Sequence, residues 1–185
     1  MAPAFRLEEI EHRGGGKHAV KSSVLLLFFP LSDGKPGTVM IQRPEYNGAH
    51  GGQISFPGGR YEASDPDLAF TALRETHEEI GVDPGRIKLV GRLTDLYIPP
   101  SNFVVSPFVG IASERPVFKP DPSEVAEILE FSTSHLFEPS CRTLQAITLS
   151  NGRKISTPCF YLRGRIIWGA TAMIVSEFME LLECL

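Results

Sequence analysis

A helix with clearly marked ends constrains this sequence more than any other feature. Residues 66–80 follow Asp65, and Pro66 falls at the first position of the segment. Aspartate accepts hydrogen bonds from the free N–H groups at a helix start, and proline has no N–H to leave unsatisfied there. Gly81 follows the segment and can adopt the left-handed conformation that commonly ends a helix. The sequence therefore predicts a helix over residues 66–80 with Asp65 as its N-cap.

Three glutamates cluster on this predicted helix. At about 100° per residue, Glu75, Glu78 and Glu79 fall within an arc of about 100° on the side away from the apolar face. That apolar face consists of Ala69, Leu73, Thr76 and Ile80. Neighbouring carboxylates repel one another, and basic residues nearby are few, so the cluster costs stability unless a cation binds among them. Oxygen ligands suit Mg²⁺, which also bridges to substrate phosphates. The alternative is a solvated helix face on which Arg74 pairs with Glu78.

A glycine loop comes shortly before the helix. Phe56 and Pro57 fit the end of a strand, and Gly58 and Gly59 follow them. Glycine can adopt positive φ, which lets backbone carbonyl and amide groups approach a ligand or a metal ion closely. Alone, this motif indicates only a turn. Together with the glutamates that follow, it favours a site for a metal ion and a phosphate-containing ligand.

The rest of the chain contains many short strands and few helices. A second long helix is predicted at residues 170–183 and a short one at residues 134–137. The predicted strands are residues 23–29, 38–43, 87–93, 103–111, 126–131 and 156–162. This pattern predicts an α+β fold in which helices cover the faces of a mixed sheet. We expect one domain over residues 1–185, with residues 1–20 at its periphery.

Composition limits the classes of function. The chain has a formal net charge of −4 and no basic stripe, so we expect no nucleic-acid partner. The longest apolar run, residues 24–31, is far shorter than the roughly 20 residues that span a bilayer. No signal peptide is recognisable, so we expect a cytoplasmic protein without membrane contact. Cys141, Cys159 and Cys184 lack CxxC spacing and are expected to be reduced.

The glutamate segment resembles the Nudix hydrolase box, G-x5-E-x7-R-E-U-x-E-E-x-G-U, in which U is aliphatic. The matching residues are Arg74, Glu75, Glu78, Glu79, Gly81 and Val82, and Thr76 occupies one of the U positions. Fourteen positions separate Gly59 from Arg74, where the family pattern has thirteen. Asp65 or Asp67 stands in place of the first glutamate.

This longer spacing resembles that of the coenzyme A pyrophosphatase branch of the family. The branch also has an upstream signature, R-[SA]-x3-R-x3-G-x3-F-P-G-G. Arg43, Gly52 and residues 56–59 match this signature in register, whereas Pro44 and Gly48 differ from it. The segment at residues 166–182 also resembles the closing helix of the branch.

The resemblance implies an α/β/α sandwich and hydrolysis that depends on Mg²⁺ or Mn²⁺. It implies metal ligands at Glu75, Glu79 and Glu78, with the Gly59 carbonyl as a backbone ligand. The general base is either Glu78 or Glu124, with Glu127 behind Glu124. The remaining roles are a structural clamp at Arg74 and substrate contacts at Arg43, Arg60 and Gly58.

The implied substrate is a small nucleotide. Coenzyme A or acyl-CoA would yield 3′,5′-ADP and 4′-phosphopantetheine. Two alternatives stay open: the same chemistry on ADP-ribose, a dinucleotide or another nucleotide, and a non-catalytic binding module with this fold. The sequence also leaves open whether the chain forms a homodimer.

Overall fold

A mixed eight-stranded sheet forms the centre of the molecule, and the computed structural model describes residues 19–45, 51–148, 152 and 154–184. The strands of this sheet are β1 (Val20–Pro30), β2 (Pro36–Gln42), β3 (Ile54–Ser55), β4 (Gly58–Arg60), β5 (Ile87–Arg92), β6 (Leu96–Ile98), β7 (Phe103–Ala112) and β8 (Glu127–Ser132). A second, antiparallel sheet contains β9 (Arg142–Thr148), β10 (Lys154–Leu162) and β11 (Arg165–Trp168). The helices are α1 (Leu68–Ile80), α2 (Thr133–Phe137) and α3 (Gly169–Glu183). Two 3₁₀ turns lie at Pro84–Arg86 and Pro139–Cys141.

Strand β1 connects both halves of the large sheet. It pairs in parallel with β7, from Val20 opposite Phe103 to Phe28 opposite Ile111. Its other neighbours, β2 and β4, are antiparallel to it. Strand β8 pairs with β2, and β5 and β6 pair with β7. The short β4 therefore lies directly beside the strand that connects the two halves of the sheet.

Alternate residues of β1 face two separate cores. Leu25 and Leu27 pack with Ile80 of α1 on one face. Leu26 packs on the other face, where α3 and the second sheet cover the large sheet. Apolar side chains on both sides of a strand produce the continuous hydrophobic run that its sequence shows. The predicted α+β fold, with a mixed sheet and helices on both faces, is confirmed.

The predicted strands lie close to the observed ones, but several observed strands were not predicted. The missed strands are β3, β4, β6, β9 and β11. Four of these have only two to four residues, too few to show an alternating pattern. The single domain over residues 1–185 stays a prediction, and residues 1–18 of the predicted peripheral segment lie outside the described part of the chain.

The end of α1 is as predicted, but its start is not. Gly81 has φ of 72° and its N–H donates to His77 O at 2.8 Å. The N-cap, however, is Asp67, whose side chain accepts from Phe70 N at 2.8 Å. The predicted cap at Asp65 is wrong, because Arg74 and Thr71 bind the Asp65 carboxylate in a buried position before the helix. Pro66 consequently precedes the helix.

The buried face of α1 also differs from the predicted one. The buried residues are Thr71, Ala72, Thr76, Glu79 and Ile80, whereas Ala69 and Leu73 are only partly buried. The expectation that all three glutamates lie away from the core is therefore wrong for Glu79. Its burial depends on hydrogen-bond partners that the helix pattern alone does not show.

We predict that Gly58→Ala destabilises the protein more than Gly34→Ala does. Both glycines have positive φ, 149° at Gly58 and 78° at Gly34. A Cβ on Gly58 would lie 2.2 Å from Ser23 O, whereas nothing lies within 4 Å of a Cβ on Gly34. We expect a loss of about 3 kcal/mol in unfolding free energy for Gly58→Ala and about 1 kcal/mol for Gly34→Ala. Urea unfolding measures both, and equal losses would contradict the steric explanation.

Candidate metal centre

Three carboxylate side chains converge beside α1. Glu75, Glu79 and Glu124 each place one carboxylate oxygen within 4.8 Å of the others. The first two lie one turn apart on α1, and Glu124 lies in the loop between β7 and β8. Negative charges at this separation repel one another, and the repulsion grows where water is excluded. The all-oxygen donor set fits a hard divalent cation such as Mg²⁺, which would remove the repulsion.

Glu79 is the buried member of this carboxylate cluster, with a relative exposure of 0%. Its oxygens accept hydrogen bonds from the N–H of Gly58 at 2.8 Å and from Nη2 of Arg43 at 2.9 Å. Burial raises the pKa of Glu79 to about 7; Arg43 and the Gly58 N–H oppose the rise, and Glu75 and Glu124 add to it. Two fixed donors orient the carboxylate, and each of its oxygens keeps a lone pair for a further ligand.

Glu75 lies against the backbone of β4. A Cβ on Gly59 would lie 2.4 Å from both Cδ and Oε2 of Glu75, so the carboxylate occupies the space that a side chain would need. Arg74 Nη1 lies 3.0 Å from Oε1 of Glu75. Burial raises the pKa of Glu75, and the charge of Arg74 opposes the rise. A glycine is therefore needed at position 59, because a side chain there would displace the carboxylate of Glu75. That the Gly59 carbonyl is a metal ligand stays a prediction.

Glu124 reaches the cluster because its loop is hydrogen-bonded to the end of α1. The N–H of Lys119 donates to Ile80 O at 2.9 Å, and the N–H of Asp121 donates to Glu79 O at 3.0 Å. The last carbonyls of a helix have no partner within the helix, so the loop satisfies two of them. Glu124 itself is exposed, at the open side of the cluster.

Arg74 binds carboxylates on the outer side of α1. Its Nε and Nη2 donate to Asp65 at 2.9 and 3.0 Å, and its Nη1 donates to Glu78 at 2.7 Å. Nη2 also donates to Arg60 O at 3.0 Å. One guanidinium therefore joins β4, the segment before α1 and α1 itself. This geometry fits the predicted role of Arg74 as a structural clamp. The Arg74–Glu78 ion pair expected for a solvated helix face is also present.

Glu78 lies outside the carboxylate cluster. Its side chain is 52% exposed and is bound by Nη1 of Arg74, the same nitrogen that contacts Glu75. The roles of Glu78 as a metal ligand and as the general base both stay predictions. Glu127, the reserve candidate for the base, forms an ion pair with Arg165 and shares a strand face with Leu129, on the side of β8 opposite α1.

Of the predicted substrate contacts, Arg43 and Gly58 are hydrogen-bonded to other protein groups, whereas the Arg60 side chain is exposed. Arg43 Nη2 donates to both Gly58 O and Glu79, so this arginine stabilises the carboxylate cluster. Both backbone polar groups of Gly58 are used in the same network. The Arg60 side chain is exposed next to Gly59. Gly48, at which this sequence differs from the coenzyme A signature, lies outside the described residues.

Sequence reasoning missed the buried partner of Arg74. Asp65 accepts hydrogen bonds from the N–H of Glu62 at 3.0 Å and from the hydroxyl of Thr71 at 2.9 Å, in addition to Arg74. The side-chain hydrogen bonds from Arg74 contribute most to lowering the pKa of Asp65 to about 2. Asp65 lies near the position of the first glutamate in the Nudix box, and this could have indicated a role in the site. The helix-cap pattern instead assigned Asp65 to the start of the helix.

Comparison with known proteins identifies the family. A model of the NUDIX domain matches residues 23–142, which contain α1, β4 and Glu124. The chain belongs to the Nudix family. It is 31% identical over 160 residues to Nudix hydrolase 22 of Arabidopsis thaliana, covering 84% of this chain and 53% of that protein. It is 31% identical over 143 residues to the human mitochondrial coenzyme A diphosphatase NUDT8, covering 77% of this chain and 61% of that protein.

Solved structures agree with the Nudix fold. The Nudix hydrolase RenU from M. smegmatis superimposes with a TM-score of 0.62 at 13% identity, over 92% of this chain and 97% of that one. The chain spans just over half the length of the two curated relatives above. Within the described residues, no helix is long and apolar enough to cross a membrane.

We predict that Gly59→Ala impairs metal binding without unfolding the protein. The new Cβ would displace the flexible carboxylate of Glu75, whereas at Gly58 it would strike backbone atoms. We expect Mn²⁺ affinity to fall by about tenfold or more, while the unfolding free energy changes by less than about 1 kcal/mol. Isothermal titration with Mn²⁺ and urea unfolding test the two parts. Unchanged Mn²⁺ affinity would contradict the proposed position of the metal ion.

We predict that Asp65→Asn destabilises the protein at neutral pH by about 2 kcal/mol, because Arg74 loses its buried charged partner. The pKa of Asp65 lies near 2 in the folded state, below its ordinary 3.8. Its contribution is therefore complete above about pH 4 and is lost as the pH falls towards 2. The difference from the wild type should shrink over that range in urea unfolding experiments.

Asp67→Asn is the matched control for this experiment. Asparagine caps a helix about as well as aspartate, so the control should stay close to the wild type at each pH. A deficit of Asp65→Asn that does not change between pH 7 and pH 2 would contradict the ion-pair explanation.

Proposed function

We propose that this protein is a metal-dependent hydrolase that cleaves the diphosphate bond of coenzyme A or acyl-CoA. The convergence of Glu75, Glu79 and Glu124 carries the proposal. A binding module gains nothing from uncompensated carboxylates, whereas a diphosphate hydrolase needs a cation at this place. Mg²⁺ or Mn²⁺ held here supplies charge neutralisation for the diphosphate oxygens and activation of water.

The chain's own residues divide the work of catalysis. Glu79 and Glu75 hold the cation, and Arg43 and the Gly58 N–H keep the Glu79 carboxylate in its ligating orientation. Arg74 holds α1 against β4 through Asp65 and Arg60 O, so the distance between the glutamates and Gly59 is fixed. Preorganised charges of this kind lower the barrier of phosphoryl transfer because they need no rearrangement during the reaction.

Glu124 is the best candidate for the general base. It lies within the carboxylate cluster, on the exposed side from which a substrate and water can enter. The carboxylate of Glu78 is instead engaged by Arg74. A base must lie within hydrogen-bond reach of the proton that it removes, so position favours Glu124 over Glu78. Arg60, exposed beside Gly59, is our candidate for a phosphate contact.

Two features of the sequence favour coenzyme A as the substrate. NUDT8, one of the relatives at 31% identity, is named a coenzyme A diphosphatase. Arg43, Gly52 and residues 56–59 match the signature of the coenzyme A branch. Expected products are 3′,5′-ADP and 4′-phosphopantetheine.

A substrate panel tests this proposal directly. Coenzyme A, an acyl-CoA, NADH, ADP-ribose and a dinucleoside polyphosphate are incubated with the protein and either Mg²⁺ or Mn²⁺, and the products are identified by mass spectrometry. We expect the highest kcat/KM with coenzyme A or acyl-CoA. A clear preference for another compound would overturn the substrate assignment, and no turnover of any compound would favour the binding module.

We predict that Glu79→Gln lowers kcat by about 100-fold or more while the fold is retained, since loss of an outer partner of a metal ligand alone typically costs 10–100-fold. Glutamine can still accept the hydrogen bond from Gly58 N, so circular dichroism should be unchanged. Glu127→Gln is the control, because it neutralises a glutamate on the opposite side of the sheet. Turnover by Glu79→Gln at the wild-type rate in saturating Mg²⁺ would contradict the proposed metal site.

A further inference from the structure

The loop that carries Glu124 contains a tight turn built on Asp121. The Asp121 carboxylate accepts hydrogen bonds from Ser123 N at 2.8 Å and from Ser123 Oγ at 2.6 Å. Its backbone carbonyl accepts from Glu124 N at 3.1 Å and from Val125 N at 2.8 Å. Every one of these bonds closes the chain between Asp121 and Val125, so the side chain and the backbone of one residue together fix the direction in which Glu124 leaves the turn.

Two prolines stiffen this turn. Asp121 lies between Pro120 and Pro122. Proline fixes its own φ and restricts the residue before it, so few backbone conformations are open to this segment even in the unfolded chain. Aspartate at the first position of a β-turn with proline at the second is also a favoured combination. The local sequence thus favours the turn that the structure shows.

The turn is attached at both ends to the elements that form the metal cluster. At its start, the N–H of Asp121 donates to the carbonyl of Glu79, at 3.0 Å. At its end, Val125 is buried in the same core as Ile80, and Ala126 N donates to Gln42 O at 2.9 Å. Gln42 is the last residue of β2, directly before Arg43. The position of Glu124 is therefore defined relative to Glu79 and Arg43 by short chain segments.

We propose that Asp121 is a positioning residue, which holds the Glu124 carboxylate in the cluster with Glu75 and Glu79. The inference rests on the proposed function, because it assigns Asp121 a task in that same metal site. Asp121 does not ligate the cation, and its side chain acts only through the turn. Without the side-chain bonds only the backbone bonds of the turn remain, so the exposed Glu124 is held less firmly in the cluster.

The variants Asp121→Ala, Asp121→Asn, Glu124→Gln and Asp121→Ala/Glu124→Gln test the inference. The amide side chain of asparagine offers the same acceptor oxygen to Ser123, so Asp121→Asn should bind Mn²⁺ within about twofold of the wild type. Asp121→Ala should bind Mn²⁺ about tenfold more weakly, with a lower kcat and little change in KM. The double variant should bind no more weakly than Glu124→Gln alone, because both changes act through the same carboxylate.

Asp83→Ala is a matched control. Asp83 also precedes a proline and accepts a hydrogen bond from a residue two positions later, Gly85 N at 2.8 Å. This turn follows α1 but carries no member of the carboxylate cluster. Asp83→Ala should therefore leave Mn²⁺ affinity and kcat close to those of the wild type.

Amide hydrogen exchange measures the turn without a metal ion. Exchange at Val125 N–H should be about tenfold faster in Asp121→Ala than in the wild type and unchanged in Asp121→Asn. The inference is overturned if Asp121→Ala keeps the wild-type Mn²⁺ affinity, if its effect adds fully to that of Glu124→Gln, or if Val125 exchange is unchanged. Failure of the wild type to bind Mn²⁺ or to hydrolyse any diphosphate would instead overturn the proposed function, and the exchange experiment would still decide whether Asp121 fixes the turn.

Discussion

The buried carboxylate of Glu79 is the interaction on which the site depends. A charged group without water is costly unless hydrogen-bond donors surround it. Gly58 N–H and Arg43 supply those donors, and each comes from a different part of the sheet. Helix α1, strand β4 and the end of β2 are consequently joined through one side chain. Glu75 and Glu124 add negative charge beside it, and a cation bound among the three carboxylates would offset that charge.

The two glycines of β4 serve different purposes, although they are adjacent and belong to one motif. Gly58 lies so close to Ser23 and Val24 that a side chain would collide with the backbone of β1. Gly59 lies against the carboxylate of Glu75 instead. The first glycine allows β4 to pair with β1, and the second leaves room for the carboxylate of Glu75 against β4. Close approach therefore explains both positions, and a flexible loop explains neither.

Much of the fold was readable from the sequence because local patterns determined it. Gly81 ends α1 through a conformation that glycine favours, and the long strands have apolar residues on one or both faces. The three-stranded sheet was only partly predicted, since β11 has only four residues and the apolar Leu144 of β9 lies on the exposed face. The carboxylate site was harder: the spacing of the glutamates indicated a metal, but which of them faces inward depends on Arg43, thirty-six residues away. Asp65 was misassigned because capping and binding Arg74 need the same residue type.

The separation of Glu78 from Glu79 shows how neighbouring residues of identical chemistry acquire different environments. They differ by about 100° around the helix, which turns Glu79 towards β4 and Glu78 towards Arg74. Arg74 is itself held by the buried Asp65, so it cannot follow Glu78 into solvent, and it binds Glu78 and Glu75 from one fixed position. An arginine fixed in this way keeps one carboxylate out of the cluster while the loop brings Glu124 into it. Which carboxylates form the cluster is therefore decided as much by the partners of Arg74 as by the glutamates themselves.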